Sequence, residues 1–343
     1  MKIATADNVA SLYDNLSGEI YASGALAILT DRYLRDAMNR RMQGDTLLSP
    51  DGLSYLPSSE PLWISTWGFD GRVNGNGNAA QTHHTGTGLN LGLDRQFNDK
   101  WFGGLNVAYE DSKIKVANAR NSRTDMQVFS LGGYLATQAG GIQLRAGAAH
   151  SWLDLETQRN IGVAGAASTA LSGMARADYK GRKVQLFTEA AKDFNVRNTT
   201  LTPYVNLVHI WLRTDAAQES ADGTAAPAAL AVAARSHTRF ETTLGVRGEY
   251  RLGNVQNAVN PASVLFNLAW VRASDSARQS EHRFAGTDVP FTVRGVSPDR
   301  NTLLTSLALQ RQWGNTSLRL GWHGQFASKR TYHAANVQLK QRF

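Results

Sequence analysis

The chain has 343 residues, 42% of them hydrophobic and 19% charged, with a formal net charge of +8 and no cysteine. Disulfides, thiolate metal sites and a cysteine nucleophile are therefore excluded. No run approaches the roughly 18 consecutive apolar residues that a transmembrane helix needs. The 36 Lys and Arg are interleaved with 28 Asp and Glu, so no basic arm for nucleic acid stands out.

The chain opens Met1-Lys2-Ile3, without the apolar core of a signal peptide. If the protein is exported, this is expected to be a mature portion or a fragment. From Val9 the apolar residues Leu12, Tyr13, Leu16 and Ile20 fall at helical spacing. Asp7 is the expected N-cap, Gly18 sits inside the run, and Gly24 is expected to end it. A second helical stretch places Leu26, Leu29, Tyr33, Ala37 and Met38 on one face and Arg32, Arg35, Arg40 and Arg41 elsewhere. Residues 1–42 thus read as a helical segment. Residues 43–61, rich in Ser, Gly, Pro and Asp, read as a linker.

From Trp63 onward the period is two. Leu89, Leu91, Leu93 and Phe97 oppose Gly88, Asn90, Gly92, Asp94 and Gln96. Phe240, Leu244, Val246, Tyr250 and Leu252 oppose Glu241, Thr243, Gly245, Arg247, Glu249 and Arg251. Leu318, Leu320, Trp322 and Phe326 oppose Ser317, Arg319, Gly321, His323 and Gln325. Ala335, Val337, Leu339 and Phe343 oppose Asn336, Gln338, Lys340 and Arg342. A half-buried strand of a soluble sandwich also alternates. These strands, however, are long, and Trp101, Tyr109, Trp152, Trp211, Trp270, Trp313 and Trp322 sit near the ends of their apolar faces, as in the aromatic girdles of transmembrane barrels. The opposite faces carry Gly, Asn, Gln and full charges, which a dry core would not accept unpaired.

Twelve strands are predicted at 62–73, 82–97, 100–116, 123–138, 141–156, 170–194, 201–215, 237–252, 262–274, 300–313, 316–327 and 331–343. Short turns follow alternate strands, and the longer connections 157–169, 216–236 and 275–299 lie at the other end. Short periplasmic turns and long extracellular loops make this pattern. The fold class is therefore all-β: a closed antiparallel transmembrane barrel over 62–343 with both ends periplasmic. Eight charged residues, Glu19, Arg145, Glu241, Arg247, Glu249, Arg251, Arg319 and Lys340, are the candidate pore-lining and plug-contact residues. Asp94 and Glu110 join them as lumen carboxylates, better suited to salt bridges than to acid–base chemistry. His83 and His84, adjacent on a strand, point to opposite faces and do not chelate together. No cofactor or metal is expected. The Ala-rich loop 224–234 suggests no specific role.

Several segments resemble the β-domain of the autotransporters (type V secretion). LYDNLSGEIYAS, from Leu12 to Ser23, is similar to the family's segment just upstream of the barrel. Gln185-Leu186-Phe187-Thr188-Glu189-Ala190 and Pro203-Tyr204-Val205-Asn206-Leu207 are similar to two of its strands, and His209 to Asp215 and Phe284 to Asp288 also fit. The resemblance implies an N-terminal helix in the lumen, linking an exported passenger to an outer-membrane anchor. Size agrees. A helix is about 10–12 Å across and a barrel of about twelve strands only moderately wider than one that side chains fill, so a passenger would cross unfolded. The same resemblance implies as partners the chain's own passenger, the barrel-assembly machinery and periplasmic chaperones, with outer-membrane lipid and lipopolysaccharide around a monomeric barrel. Val337, Leu339 and Phe343 would form the C-terminal assembly signal, from which Gln341 departs by standing where an apolar residue is common. Self-cleaving members use an Asn-Asn pair. Here Asn15 is followed by Leu16, so that cleavage is not expected, and neither is an enzyme. The competing reading is a porin or barrel hydrolase with a short N-terminal extension. A porin needs no helix before its first strand, and a hydrolase needs a catalytic cluster at the outer rim.

Overall fold

The computed structural model describes residues 13–43, 62–98, 100–117, 122–162, 171–253, 261–274, 279–297 and 299–341. Two helices, α1 (Glu19–Thr30) and α2 (Tyr33–Met42), precede twelve long strands. The strands are β1 (Leu62–Val73), β2 (Thr82–Gln96), β3 (Trp101–Val116), β4 (Ser122–Ala139), β5 (Ile142–Gly162) and β6 (Ser172–Lys192). They continue as β7 (Thr199–Thr214), β8 (Arg235–Leu252), β9 (Ala262–Ala273), β10 (Asn301–Trp313), β11 (Thr316–Phe326) and β12 (Arg330–Gln341). Each pairs antiparallel with its sequence neighbours. β12 returns to β1, from Leu62↔Gln341 to Val73↔Arg330, so the barrel closes and leaves no long edge.

Alternation decides which face is which. On β2, Leu89, Leu91 and Leu93 are 42%, 39% and 61% exposed while Asn90 and Asp94 are buried. The seven girdle aromatics named above are all exposed on the outer face. An apolar exterior over a polar interior is the arrangement that lipid outside and a lined lumen inside require. Two tryptophans point inward instead. Trp63 and Trp67 of β1 are buried, and opposite them in register stand Gly92 and Gly88. A Cβ at either glycine would lie 2.2 Å from the indole, so glycine there is what lets the rings turn into the lumen.

Several predicted boundaries shift. β5 runs six residues past its expected end at 156, because Thr157, Arg159 and Ile161 continue the buried face. β6 stops at Lys192, and Phe194–Val196 folds back on the start of β7. The loops 216–236 and 275–299 are not simple excursions. Ala217–Gln218, Leu230–Val232, Gln279–Phe284 and Phe291–Arg294 form a four-stranded sheet of their own. A 3₁₀ turn at Gly223–Ala228 buries Ala225 and Ala228. The Ala-rich loop, to which the sequence suggested no role, is thus part of a packed cap over the long-loop mouth.

Candidate functional site

The lumen is filled by α1 and α2, and the contacts fall into three levels. At the long-loop mouth the chain passes beneath the cap. Gly18 takes φ +68°, a left-handed conformation that side chains resist. A Cβ there would also lie 2.4 Å from Leu230 Cδ1. This kink, not Gly24, separates α1 from the helical residues 13–16. Gly24 sits inside α1, where a Cβ would meet only Ile114, at 3.9 Å.

Polar groups of the cap and rim grip this kink. The Glu19 carboxylate accepts the Ala80 N–H at 2.9 Å and the Ser23 hydroxyl at 3.1 Å. Arg235 donates from one nitrogen to the Tyr21 carbonyl and to Ser280 Oγ, both at 2.7 Å. Arg159 pairs with Glu219 at 2.6 Å and donates to the Asn15 and Ala228 carbonyls at 2.8 and 2.9 Å. The Tyr21 hydroxyl donates to Glu219 at 3.0 Å. His282 lies between the Ser17 carbonyl, 2.8 Å from Nδ1, and Ser280 Oγ, 2.6 Å from Nε2. Burial pushes its imidazole down to about 4, against the Ser17 hydrogen bond, with Arg235 and Arg159 lowering it further.

The middle level is apolar. Leu26, Ile28 and Leu29 are buried against the wall, and Tyr33 stacks on Phe69 at 4.5 Å. At the break between the helices, Asp31 accepts the Tyr33 N–H at 3.2 Å and pairs with Lys183 of β6 at 2.6 Å.

Charge dominates the turn-side level, because α2 carries Arg35, Arg40 and Arg41 beside its N-cap Arg32, and Arg35 and Arg41 reach acids of the wall. Arg41 donates to both Asp94 oxygens at 2.5 and 2.6 Å. Asp94 also accepts the Tyr134 hydroxyl at 2.6 Å, and Tyr134 in turn accepts Trp63 Nε1 at 2.8 Å. Arg35 donates to Gln185 at 2.9 Å and to Glu241 at 3.1 Å, and Arg239 supports Glu241 at 2.6 Å. Arg32 closes on Asp36 within the helical segment. Such buried pairs are not strong net stabilisers against an apolar alternative, but losing one partner is costly, so they fix position more than they add stability.

The candidate residues distribute over these levels as follows. Glu19 is at the mouth. Arg145 donates to the Met42 carbonyl at 3.0 Å, to Glu189 at 2.5 Å and to Gln143. Arg247 shares Glu189 and lies 4.3 Å over the Tyr204 ring. Glu241 meets Arg35 of α2. Glu249 and Arg319 line a residual cavity of about 150 Å³ between α2 and the β7–β11 wall, beside Asn39 and Arg40. Arg251 donates to Thr200 at 3.3 Å near the turn side, and Lys340 is buried on the inner face of β12. Sequence reasoning missed Lys183 and Glu189, on a buried strand face whose alternation was readable, and Asp31, Arg159 and Glu219, which lie at the helix break and in segments that read as loops. Of the assembly-signal residues, Val337 and Leu339 face outward, 42% and 41% exposed. Phe343 lies outside the described residues, as do the expected Asp7 N-cap, Val9, Leu12 and the linker from 44 on. The lumen segment is accordingly 19–42, with Tyr13 exposed at the mouth. His83 faces out, 2.7 Å from Asp70, and His84 faces in beside Tyr332.

Comparison with known proteins places this geometry. The autotransporter β-domain family profile matches residues 62–325. A curated Serratia marcescens protein named extracellular serine protease is 26% identical over 96% of this chain, which spans only 30% of that protein's length. The translocator domain of the autotransporter NalP from Neisseria meningitidis superposes with a TM-score of 0.68 at 15% identity, covering 94% of this chain and 99% of that one. The transport unit of the autotransporter AIDA-I from Escherichia coli superposes with a TM-score of 0.64 at 13% identity, over 97% and 99%.

Proposed function

The chain belongs to the autotransporter β-domain family, and from that premise we propose that it exports its own N-terminal passenger, unfolded, and then holds it at the cell surface. The observation that carries this reading is the path of the helices. They enter under the cap at the long-loop mouth and leave at Met42, whose carbonyl is held by Arg145 near the short turns. A segment lying this way has its upstream chain at the loop side, which is where an exported passenger belongs. Of the candidate charges, Arg145 and Glu241 hold the plug from the wall, Glu19 anchors it at the mouth, and Arg247, Glu249 and Arg319 line the space left beside it.

Loops face outward and both barrel ends face the periplasm in this reading. Periplasmic chaperones and the barrel-assembly machinery deliver the chain, reading the outward-facing Val337 and Leu339 of β12 together with the terminal Phe343, and the barrel works as a monomer. No catalysis is assigned to it. The protease in the relatives' name refers to proteins more than three times as long, and any passenger activity lies outside the barrel. A porin or a barrel hydrolase is the reading set aside, since α1 and α2 occupy the space that a diffusion path would use.

Export is tested by fusing a signal peptide and an epitope upstream of Met1 and probing intact cells with antibody. Surface staining that disappears when the upstream segment carries a disulfide-locked folded domain supports the reading. An epitope that stays periplasmic while the barrel inserts overturns it.

A further inference from the structure

The aromatic belt at the loop end of the barrel is continuous in register over three strands. Tyr109, Phe129 and Trp152 of β3, β4 and β5 stand directly opposite one another, all on the outer face. The same line continues into Arg182 of β6 and Arg213 of β7, which are themselves direct partners, and both are exposed. The belt resumes at Trp211, two residues nearer the bilayer centre than Arg213 on the same face. The two arginines therefore stand just beyond the belt, at the level where lipid headgroups begin.

Directly opposed residues of an antiparallel pair have Cβ atoms about 4.5–5.5 Å apart, and like charges so placed repel. Neither guanidinium makes a hydrogen bond or ion pair with any described residue. The carboxylates at adjoining outer positions do not relieve them: Asp154 faces Lys180 at 3.8 Å, and Asp215 bonds neither arginine. Among the described residues the opposite side of the barrel lacks this feature. There the belt is Phe240, Trp270, Leu303 and Trp322, and the nearby outward Arg272 donates to Asn301 at 3.1 Å.

We propose that Arg182 and Arg213 form a site for the phosphate of an outer-leaflet lipid headgroup, with Trp152 and Trp211 flanking the buried part of that lipid. Guanidinium forks match phosphate oxygens bidentately, and a phosphate between two of them turns their repulsion into attraction. Amphipathic indoles suit the adjoining interface. The proposal rests on the reading that the loop end faces the cell exterior.

The test uses the full chain folded in zwitterionic detergent, titrated with diphosphoryl lipid A and followed by native mass spectrometry. An Arg182→Gln/Arg213→Gln variant should bind the lipid at least 10-fold more weakly, and Arg272→Gln should stay within 2-fold of the parent. Without added lipid the double variant should melt no lower than the parent, because repulsion has been removed; with lipid A the parent should melt higher. Lipid A stripped of phosphate should not distinguish parent from variant. Equal affinity of parent and double variant for diphosphoryl lipid A overturns the site, as does inorganic phosphate alone binding as tightly as the lipid. Orientation is read separately. The chain has no cysteine, so Ala216→Cys, at the loop end beside Arg213, gives a single thiol for an impermeant maleimide. Failure to label intact cells would sink the orientation, and the proposal with it. Labelling with unchanged lipid binding leaves the orientation standing and removes the site.

Discussion

Replacing Asp94 by Asn tests whether charge holds α2 in the lumen. Asp94 accepts both Arg41 nitrogens, and the two side chains are only 0% and 1% exposed. Asparagine keeps the size but removes the carboxylate charge that both guanidinium nitrogens meet. Breaking a buried pair from one side costs about 3–5 kcal/mol. Arg41 regains water only if α2 leaves the wall, so that cost falls on the plugged state. With one factor of ten for every ~1.4 kcal/mol, the ratio of plugged to unplugged barrel should fall by roughly 10²- to 4 × 10³-fold. Arg41→Met should cost less, because Asp94 keeps the Tyr134 hydroxyl. The double variant should cost less than the two single changes summed. Residues in direct contact couple by about 0.5–3 kcal/mol, and this pair should lie at the upper end. The assay is the open probability of single barrels in planar bilayers. Unaltered closed lifetimes in Asp94→Asn, or single effects that simply add, would refute the reasoning.

Facing is tested on β8, where Leu244 is 51% exposed and Thr243 is 3% exposed, lining the lumen cavity. Leu244→Arg should cost roughly 2–4 kcal/mol near the midplane and sharply reduce inserted barrel in lipid, whereas Thr243→Arg should insert normally; the reverse outcome would mean a one-residue register error. The cap should loosen in acid. His282 has its folded value lowered to about 4 from an ordinary value near 6.5, so its contribution is complete above about pH 6.5 and is lost as pH falls towards 4, by at most about 3 kcal/mol. The groups around it, Tyr21, Arg159, Arg235, Glu219 and Ser280, include two arginines that disfavour its protonation. Protection factors of the Leu230–Val232 amides should therefore fall between pH 6.5 and 4.5 in the parent and change less in His282→Gln. Because the barrel is closed by β1–β12 pairing, the unheated chain should migrate differently from the heated one in SDS gels, and a detergent-free monodisperse protein would contradict the fold.

What the sequence made readable was the part governed by a local rule. The alternation of Leu89, Leu91 and Leu93 with Asn90 and Asp94 separates two faces without any knowledge of neighbours, and polarity says which face meets lipid. Strand ends were less legible where a second element buries them. Thr157 to Gly162 reads as loop until the cap supplies Glu219 for Arg159. Partner identity was not readable, because it depends on register around the whole barrel. That Asp94 and Arg145 face inward follows from period two, but that Asp94 takes Arg41, and Arg145 takes Glu189 and Met42, depends on the depth of α2. The helix break was misplaced for a similar reason. Gly18 and Gly24 are the same residue type in one apolar run, and only the crowding of Leu230 against Gly18 distinguishes the kink from the packed interior position.

The central claim is that residues 19–42 lie in the pore as its plug. It is tested most directly by comparing the full chain with a barrel lacking residues 1–42 in planar bilayers. Removing a helix about 10–12 Å across clears most of the lumen, leaving the small cavity beside α2 joined to the space the helices vacate. The account predicts a several-fold rise in single-channel conductance on deletion. Equal conductance with and without the segment would place the helices outside the pore and contradict it.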